Sequence, residues 1–304
     1  MKVNELIDKQ KITGLQVLVN TCEKRTAKNK KDYLLGKLSD ATGSIGLKVW
    51  DNVPAQQTIL QPGKVVNIID GVVEEYKGNL SIKIVVVEQA NDAVAKDLVA
   101  STFMGDDVIE ARLETILDRI ADDGIDLKPI VNDTLKQTDL WEKFMRIPAG
   151  IAKHHAYKGG LITHTIEVCD LAYNMAHVLR GDPKVKVDIG ALLCAALFHD
   201  IGKIPEYVEA EGDLNMFTDF TSAGNLMGHH FMSTNFVNKQ LSSIVNNPKR
   251  MELLQHCILS HHGRVEWSAA IVPKTIEAMI LHCADWTSSQ GVPASEWYAK
   301  ELLK

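Results

Sequence analysis

"ALFHDIGK", residues 196–203, ends a longer apolar run, "IGALLCAALF" at residues 189–198, in an imidazole and a carboxylate, His199 and Asp200. Ten apolar or small residues in a row make a helix buried on all sides and are too few to span a bilayer. Two adjacent polar groups at the end of such a segment are costly to desolvate unless something compensates them. A bound cation is one compensation, and a helix end open to water is another. Neighbouring positions cannot share one helix face, so the helix is expected to end or distort at this pair, with Gly202 permitting the turn.

The remaining histidines bear on that choice. All eleven lie beyond residue 150, as His154–His155, His164, His177, His199, His229–His230, His256, His261–His262 and His282. A lone histidine on a helix is usually a surface or satisfied core residue. Three HH pairs and an HD pair in one region are harder to assign that way. Imidazole and carboxylate ligands suit Mn, Fe, Co, Ni or Zn, whereas an all-oxygen shell suits Mg or Ca. Ligands carried on several helices of a bundle can converge on one interior point. His177 and His256 have no motif around them and read as structural.

The surroundings of these histidines are helical. "DDVIEARLETILDRIADD" places apolar residues at 108, 109, 113, 116, 117 and 120, a period near 3.6, and Asp106 and Asp107 suit a helix N-terminus. Further helices are expected at 133–146, 161–179, 187–198, 222–241, 249–260 and 274–287, without strands among them. Residues 106–304 are therefore expected to form an all-α domain.

The first part of the chain follows a different pattern. "LQVLVNTC", "DYLLGKLS", "SIGLKVWD", "KVVNIIDGVVEEY" and "NLSIKIVVVE" are short Val-, Ile- and aromatic-rich runs between residues 15 and 88, separated by Asp, Asn, Gly and Pro punctuation. Five strands, the fourth bending at Gly71, match the strand count of an OB barrel. The expected organisation is an all-β OB barrel over residues 1–90, a linker over 91–105 and the helical domain. Residues 1–90 hold 13 Lys or Arg against 10 Asp or Glu, although the whole chain carries −6. Lys24, Arg25, Lys28, Lys30 and Lys31 cluster where the loop between the first two strands is expected. In an OB domain that loop borders the face that binds single strands, and Tyr33, Trp50 and Tyr76 offer stacking surfaces.

The ordered set "GGLITHTIEV" (His164), "LFHDIGK" (His199, Asp200), "LMGHH" (His229), "LSHHG" (His261) and "LHCADW" (Asp285) resembles the HD-domain metal-dependent phosphohydrolases. With an OB-like domain in front, nearly the whole chain resembles the YhaM family of bacterial 3′-to-5′ exoribonucleases, "HHAYKGGLITHT" being especially telling. The resemblance implies hydrolysis of single-stranded RNA, with single-stranded DNA as an alternative strand, to nucleoside 5′-monophosphates. It also implies two divalent transition-metal ions, manganese first and iron, cobalt or zinc as alternatives. His164, His199 and Asp285 would serve one ion, His229 and His261 the other, and Asp200 would bridge them. His230 and His262 become neighbouring or substrate groups, and His154, His155 and Lys158 hold substrate beside Gly159 and Gly160. Lys203 is a candidate catalytic contact to a phosphate oxygen. His282, one turn before Asp285, reads as packing around the ligands, though it can compete as one. The family also permits a homo-oligomer.

Three rival functions share this sequence: an HD phosphohydrolase of small nucleotides, an HD-type di-iron oxygenase, and a nucleic-acid-binding protein without catalysis. The strand-holding module argues against the first, and the full ligand set against the last. Five cysteines, an odd number with no C-x-x-C pair, fit a reduced cytoplasmic protein. The N-terminus "MKVNELIDKQ" lacks the apolar core of a signal peptide, and no membrane partner is expected.

Overall fold

A computed structural model of the chain describes residues 1–90, 98, 104–133, 135–150, 155–209 and 217–302. It divides into two compact units. One comprises Met1–Ser101, Ala156–Lys158 and Val208–Asp219; the other comprises Thr102–His155, Gly159–Tyr207 and Phe220–Lys304.

The first unit contains a barrel. β1 (Lys11–Ile12) is a short edge piece, followed by β2 (Leu15–Thr26), β3 (Asp32–Asp40), β4 (Gly43–Val49), helix α1 (Val53–Ile59), β5 (Val65–Tyr76) and β6 (Asn79–Gln89). β2, β3 and β4 form an antiparallel meander. β5 returns to pair with β2 and with β6, and β6 closes the ring by parallel pairing with β4. Closure leaves these five strands without a free edge, as in an OB barrel. Alternate residues such as Leu15, Val17 and Val19, or Leu34 and Leu38, point into one apolar core with Leu47, Ile68, Val73 and Ile82. The bend at Gly71 is present: the β5–β6 register shifts between Ile68 and Gly71. A Cβ at Gly71 would lie 3.0 Å from the Lys83 carbonyl oxygen.

Two features depart from a purely β reading. β1 pairs with β5 beyond the five expected strands. α1 follows β4, and the buried Gln56 on it donates to the carbonyls of Asp51 and Val85 at 3.1 and 3.0 Å. β2 also runs past Cys22 to Thr26, so Lys24 and Arg25 are strand residues rather than loop residues. Opposite charges across the pair extend it: Lys24 lies 2.7 Å from Asp32, and Thr26 donates to the same carboxylate at 2.8 Å.

The second unit is helical: α2 (Asp106–Asp122), α3 (Lys128–Asp133), α4 (Asp139–Arg146), α5 (Gly160–Leu179), α6 (Ile189–Phe198), α7 (Lys203–Glu206), α8 (Ser222–Leu241), α9 (Pro248–Ser260) and α10 (Ile276–Leu302). The helix expected over 133–146 is interrupted, because Thr138 accepts from the Trp141 N–H and starts a new helix there. Asp188 caps α6 in the same way, accepting from Ala191. α10 continues well beyond residue 287. The all-α expectation for residues 106–304 also misses a strand pair, β7 (Tyr207–Glu209) with β8 (Phe217–Phe220). Strands of three and four residues are too short to show an alternation in sequence. Among the described residues no helix is long and apolar enough to cross a membrane.

Candidate metal centre

α6 is buried along its whole length and ends at Phe198, leaving His199 and Asp200 on the turn that leads into α7. That turn lies directly against α8. The Gly202 N–H donates to Ser233 Oγ at 2.9 Å, and a Cβ on Gly202 would lie 2.4 Å from the His229 carbonyl oxygen. Glycine here permits the close approach that sets Asp200 opposite His229. α8 is itself broken just before this point. Gly228 has φ 70° and ψ 160°, a conformation essentially reserved for glycine. The break frees the His229 N–H, which donates to Glu206 Oε1 at 2.8 Å.

Asp200 is buried and its two oxygens face different imidazoles. Oδ2 lies 3.3 Å from His199 Nε2 and 3.5 Å from His164 Nε2. Oδ1 lies 3.6 Å from His229 Nε2 and 3.7 Å from His261 Nε2, beyond hydrogen-bonding distance. Asp285 Oδ1 completes the first group, 3.2 Å from His164 Nε2. One ligand atom from each of His164, His199 and Asp285 lies within 4.8 Å of the others, and the same holds for His199, Asp200 and His261. It also holds for His229, His230, His261 and His262.

The ring tautomers follow from the partners. His199 and His261 donate from Nδ1 to the carbonyls of Ala196 and Ile258, each at 2.7 Å. His262 donates from Nδ1 to the Trp267 carbonyl at 2.8 Å. His229 Nδ1 lies 3.0 Å from both oxygens of Glu206. Ser288 Oγ donates to Glu167 Oε2 at 2.7 Å, so it accepts from His164 Nδ1 at 2.9 Å. In the neutral form every one of these rings therefore presents a bare Nε2 lone pair. Two of those lone pairs, on His164 and His199, face each other at 3.3 Å and repel unless a proton or cation intervenes. Asp200 Oδ1 and the Nε2 atoms of His229, His230 and His261 are buried with no hydrogen-bond partner among the described residues. Buried polar atoms are normally satisfied. Asp200 Oδ1 and the Nε2 atoms of His229 and His261 are all acceptors by the tautomers above, and such a group fits a divalent transition metal.

The electrostatics favour the binding form of most of these groups; His199 is the exception, because burial is outweighed by the neighbouring Asp200 carboxylate, which pushes its imidazole up. Burial pushes the His164 and His261 imidazoles down. Burial, reinforced by His261 and His229, does the same for His230, and His262 is pushed down to about 3 chiefly by burial. Neutral imidazole is the metal-binding form. Burial disfavours ionised Asp200, yet Lys203 and His199 outweigh it and hold the carboxyl well below the usual carboxylate range. Lys203 is itself buried, with Nζ 2.7 Å from Asp200 Oδ2, and so is not a solvent-exposed lysine.

The other candidates are distributed as follows. His155 is buried, its Nε2 3.1 Å from Glu167 Oε2 and its ring 5.2 Å from that of His164. Lys158 is exposed, and His154 lies outside the described residues. His282 donates to the His261 carbonyl at 2.8 Å. His256 accepts from the Lys274 N–H at 2.9 Å, and His177 packs on Tyr173. Three positioning groups escape a motif search: Glu167, Glu206 and Ser288. Glu167 and Ser288 stand three residues after His164 and Asp285, one helical turn on, a spacing that marks the same face. Glu206 carries no such mark.

On the barrel, Tyr33 and Trp50 are half-buried and stacked, with centroids 4.5 Å apart and planes at 15°. Tyr76 is exposed, with Lys48 and Lys77 over its ring at 5.9 and 5.4 Å. Three of the five clustered cations are paired: Lys24 with Asp32, Arg25 with Glu23 at 2.9 Å, and Lys31 with Asp51 at 2.9 Å. Lys28 and Lys30 have no ion pair among the described residues.

Residues 161–290 match the HD-domain family model. Over 273 residues the chain is 28% identical to the 3′-5′ exoribonuclease YhaM of Geobacillus sp. (strain WCH70), covering 88% of this chain and 79% of that protein. Among solved structures, the OB domain of MM0293 from Methanosarcina mazei is similar at 23% identity and a TM-score of 0.25, covering 29% of this chain and 80% of that one. The second OB-fold domain of replication protein A from Methanococcus maripaludis is similar at 20% identity and a TM-score of 0.23, covering 30% and 94%. The chain carries an HD domain and resembles the YhaM 3′-5′ exoribonucleases along most of its length.

Proposed function

We propose that this chain is a metal-dependent 3′-to-5′ exoribonuclease that shortens single-stranded RNA, with single-stranded DNA as an alternative strand, to nucleoside 5′-monophosphates. One observation carries the reading: the two oxygens of buried Asp200 are divided between His164–His199 and His229–His261. On this reading His164, His199, Asp200 and Asp285 hold one divalent ion, and Asp200, His229 and His261 hold a second. Manganese is the first choice, with iron, cobalt or zinc as alternatives. Bound there, the ions would supply a water acidic enough to ionise near neutral pH and would neutralise phosphoryl oxygens.

The chain's own groups do the rest. Lys203 keeps Asp200 ionised and stands next to the space a phosphate would enter. His230 and His262 turn neutral imidazoles toward that space and are placed to orient phosphate oxygens. His155 acts on His164 through Glu167, so its part is positioning; Lys158 and His154 are left as substrate contacts. The barrel, residues 1–90, holds the strand, and the helical domain, residues 106–304, cuts it. In OB domains the exposed face of the second and third strands, with the loops after the first and fourth, binds oligonucleotides. Here those places carry Tyr33 and Trp50, Lys28 and Lys30, and Tyr76 with Lys77. Five free cysteines fit a cytoplasmic protein.

The test offers a 3′-labelled RNA oligomer, dNTPs and cyclic nucleotides to the full chain with Mn²⁺, while oxygen is monitored. Release of the labelled 3′-terminal nucleotide in the first cut, followed by unlabelled nucleoside 5′-monophosphates, is expected. Hydrolysis of small nucleotides alone, or oxygen consumption, would replace this reading with one of its rivals.

A further inference from the structure

Beside the histidine cluster lies an aromatic surface that the metal chemistry does not use. Trp267 and Trp286 stack with centroids 4.9 Å apart and planes at 8°. They remain 39% and 45% exposed, which is unusual for two large apolar rings in contact. The Arg264 guanidinium sits over the Trp267 ring, 4.8 Å from its centroid. Trp267 thus packs against both the Arg264 guanidinium and the Trp286 ring. Trp286 is left as the exposed end of the stack.

Both indoles are tied to site residues. Trp286 directly follows Asp285 on α10, and the Trp267 carbonyl fixes the tautomer of His262. Ser268, immediately after Trp267, has φ 72°, a strained value for a residue with a side chain. The turn thus holds the ring and the carbonyl together. A platform at the rim of a phosphodiester site, with a guanidinium on one of its rings, matches how single-stranded nucleic acid is gripped: bases stack on aromatic faces and arginine adds a cation–π contribution.

We propose that Trp286, backed by Trp267 and Arg264, is the stacking platform for the nucleobase next to the linkage being cut. This rests on the exoribonuclease reading and deepens it. The platform makes the site one for strand ends bearing bases, without base identity, because every base has a π-face. It selects against phosphodiesters that lack a base.

The experiment pairs Trp286→Ala and Trp286→Phe with two substrates, oligoadenylate and the same strand ending in abasic nucleotides. Metal content is checked in each variant. Stacking of this kind is lost on alanine substitution with a roughly 5- to 140-fold effect. That loss is expected in KM for oligoadenylate, with most of it recovered in the phenylalanine variant and little change on the abasic strand. Binding is followed separately, without turnover, by quenching of tryptophan fluorescence with oligoadenylate in an Asp200→Asn background. Quenching should fall in the Trp286→Phe and Trp267→Phe versions. If the wild type degrades RNA but Trp286→Ala leaves KM unmoved, the platform is refuted and the nuclease reading stands. If KM rises equally on the abasic strand, the ring is not a base platform. If the variant instead changes from oligomer to monomer with KM unmoved, the surface joins two copies of the chain. If RNA is never cleaved, the nuclease reading fails, and an absence of quenching would refute the platform as well.

Discussion

Glu206 provides a sharp perturbation of the metal centre because it acts on one half only. Its carboxylate accepts the His229 N–H at 2.8 Å and lies 3.0 Å from His229 Nδ1 through both oxygens. It thereby fixes both the backbone at the Gly228 break and the tautomer that frees Nε2. Glu206→Gln keeps the shape but replaces one acceptor by an NH₂ donor, so one charge-assisted bond to His229 is lost. Such a bond contributes about 1.5–3 kcal/mol, which corresponds to roughly a 12- to 140-fold weakening of the ion held by His229 and His261. This agrees with the 10–100-fold effect typical of groups that orient a metal ligand. His164, His199 and Asp285 are oriented by Ser288, a backbone carbonyl and each other, so their ion should be held as before. Calorimetric titration of the metal-stripped full chain with Mn²⁺ or Co²⁺ reads both sites. The expected result is one unchanged and one weakened site. Two sites within twofold of wild type, or equal weakening of both, would refute the reasoning.

Gly228→Ala forces a side chain into a glycine-only conformation and should lower stability by about 1–3 kcal/mol. Thermal unfolding would measure this, with a matching loss of metal content if the break aims His229. Changing Lys28 and Lys30 together to Ser should flatten the dependence of RNA binding on log[salt] by about 1.4, at about 0.7 per phosphate contact on a single strand. The change of all five clustered cations should fall short of five such increments, because Lys24, Arg25 and Lys31 are already paired; a slope unmoved by the double change contradicts a role for Lys28 and Lys30 in holding the strand. Alkylation of the native chain should modify Cys283 first. It is exposed, whereas Cys169, Cys194 and Cys257 are buried, and burial with help from Glu23 pushes the Cys22 thiol up to about 11. Mass mapping that found another cysteine labelled first would contradict the packing described.

Much of the site was legible because its ligands are rare residue types in a fixed order. "HD" at the end of an apolar run demanded compensation, and in the structure His164 and His199 lie beside Asp200, with Asp285 against His164. The strands of the barrel were legible from β-branched runs and their punctuation, down to the bend at Gly71. What escaped was set by long-range packing. Glu206 reaches His229 only because Gly202 lets two turns approach, and no local pattern encodes that. β7 and β8 are too short to show a period, and α1 is one short helix inside a strand-rich segment. The basic cluster looked like an open loop because sequence hides cross-strand partners such as Asp32 and Asp51. Trp267 and Trp286 are nineteen residues apart in sequence, and their stacking exists only in the fold.

The most direct test of the central claim compares the full chain with its Asp200→Asn variant, measuring bound metal and the products of a 3′-labelled RNA on the same samples. Two divalent ions per wild-type chain are expected, together with release of the labelled 3′-terminal nucleotide as a mononucleotide, and the variant should lose both while keeping its fold by circular dichroism. An Asp200→Asn chain that keeps two ions, or that degrades RNA at the wild-type rate, would contradict the account.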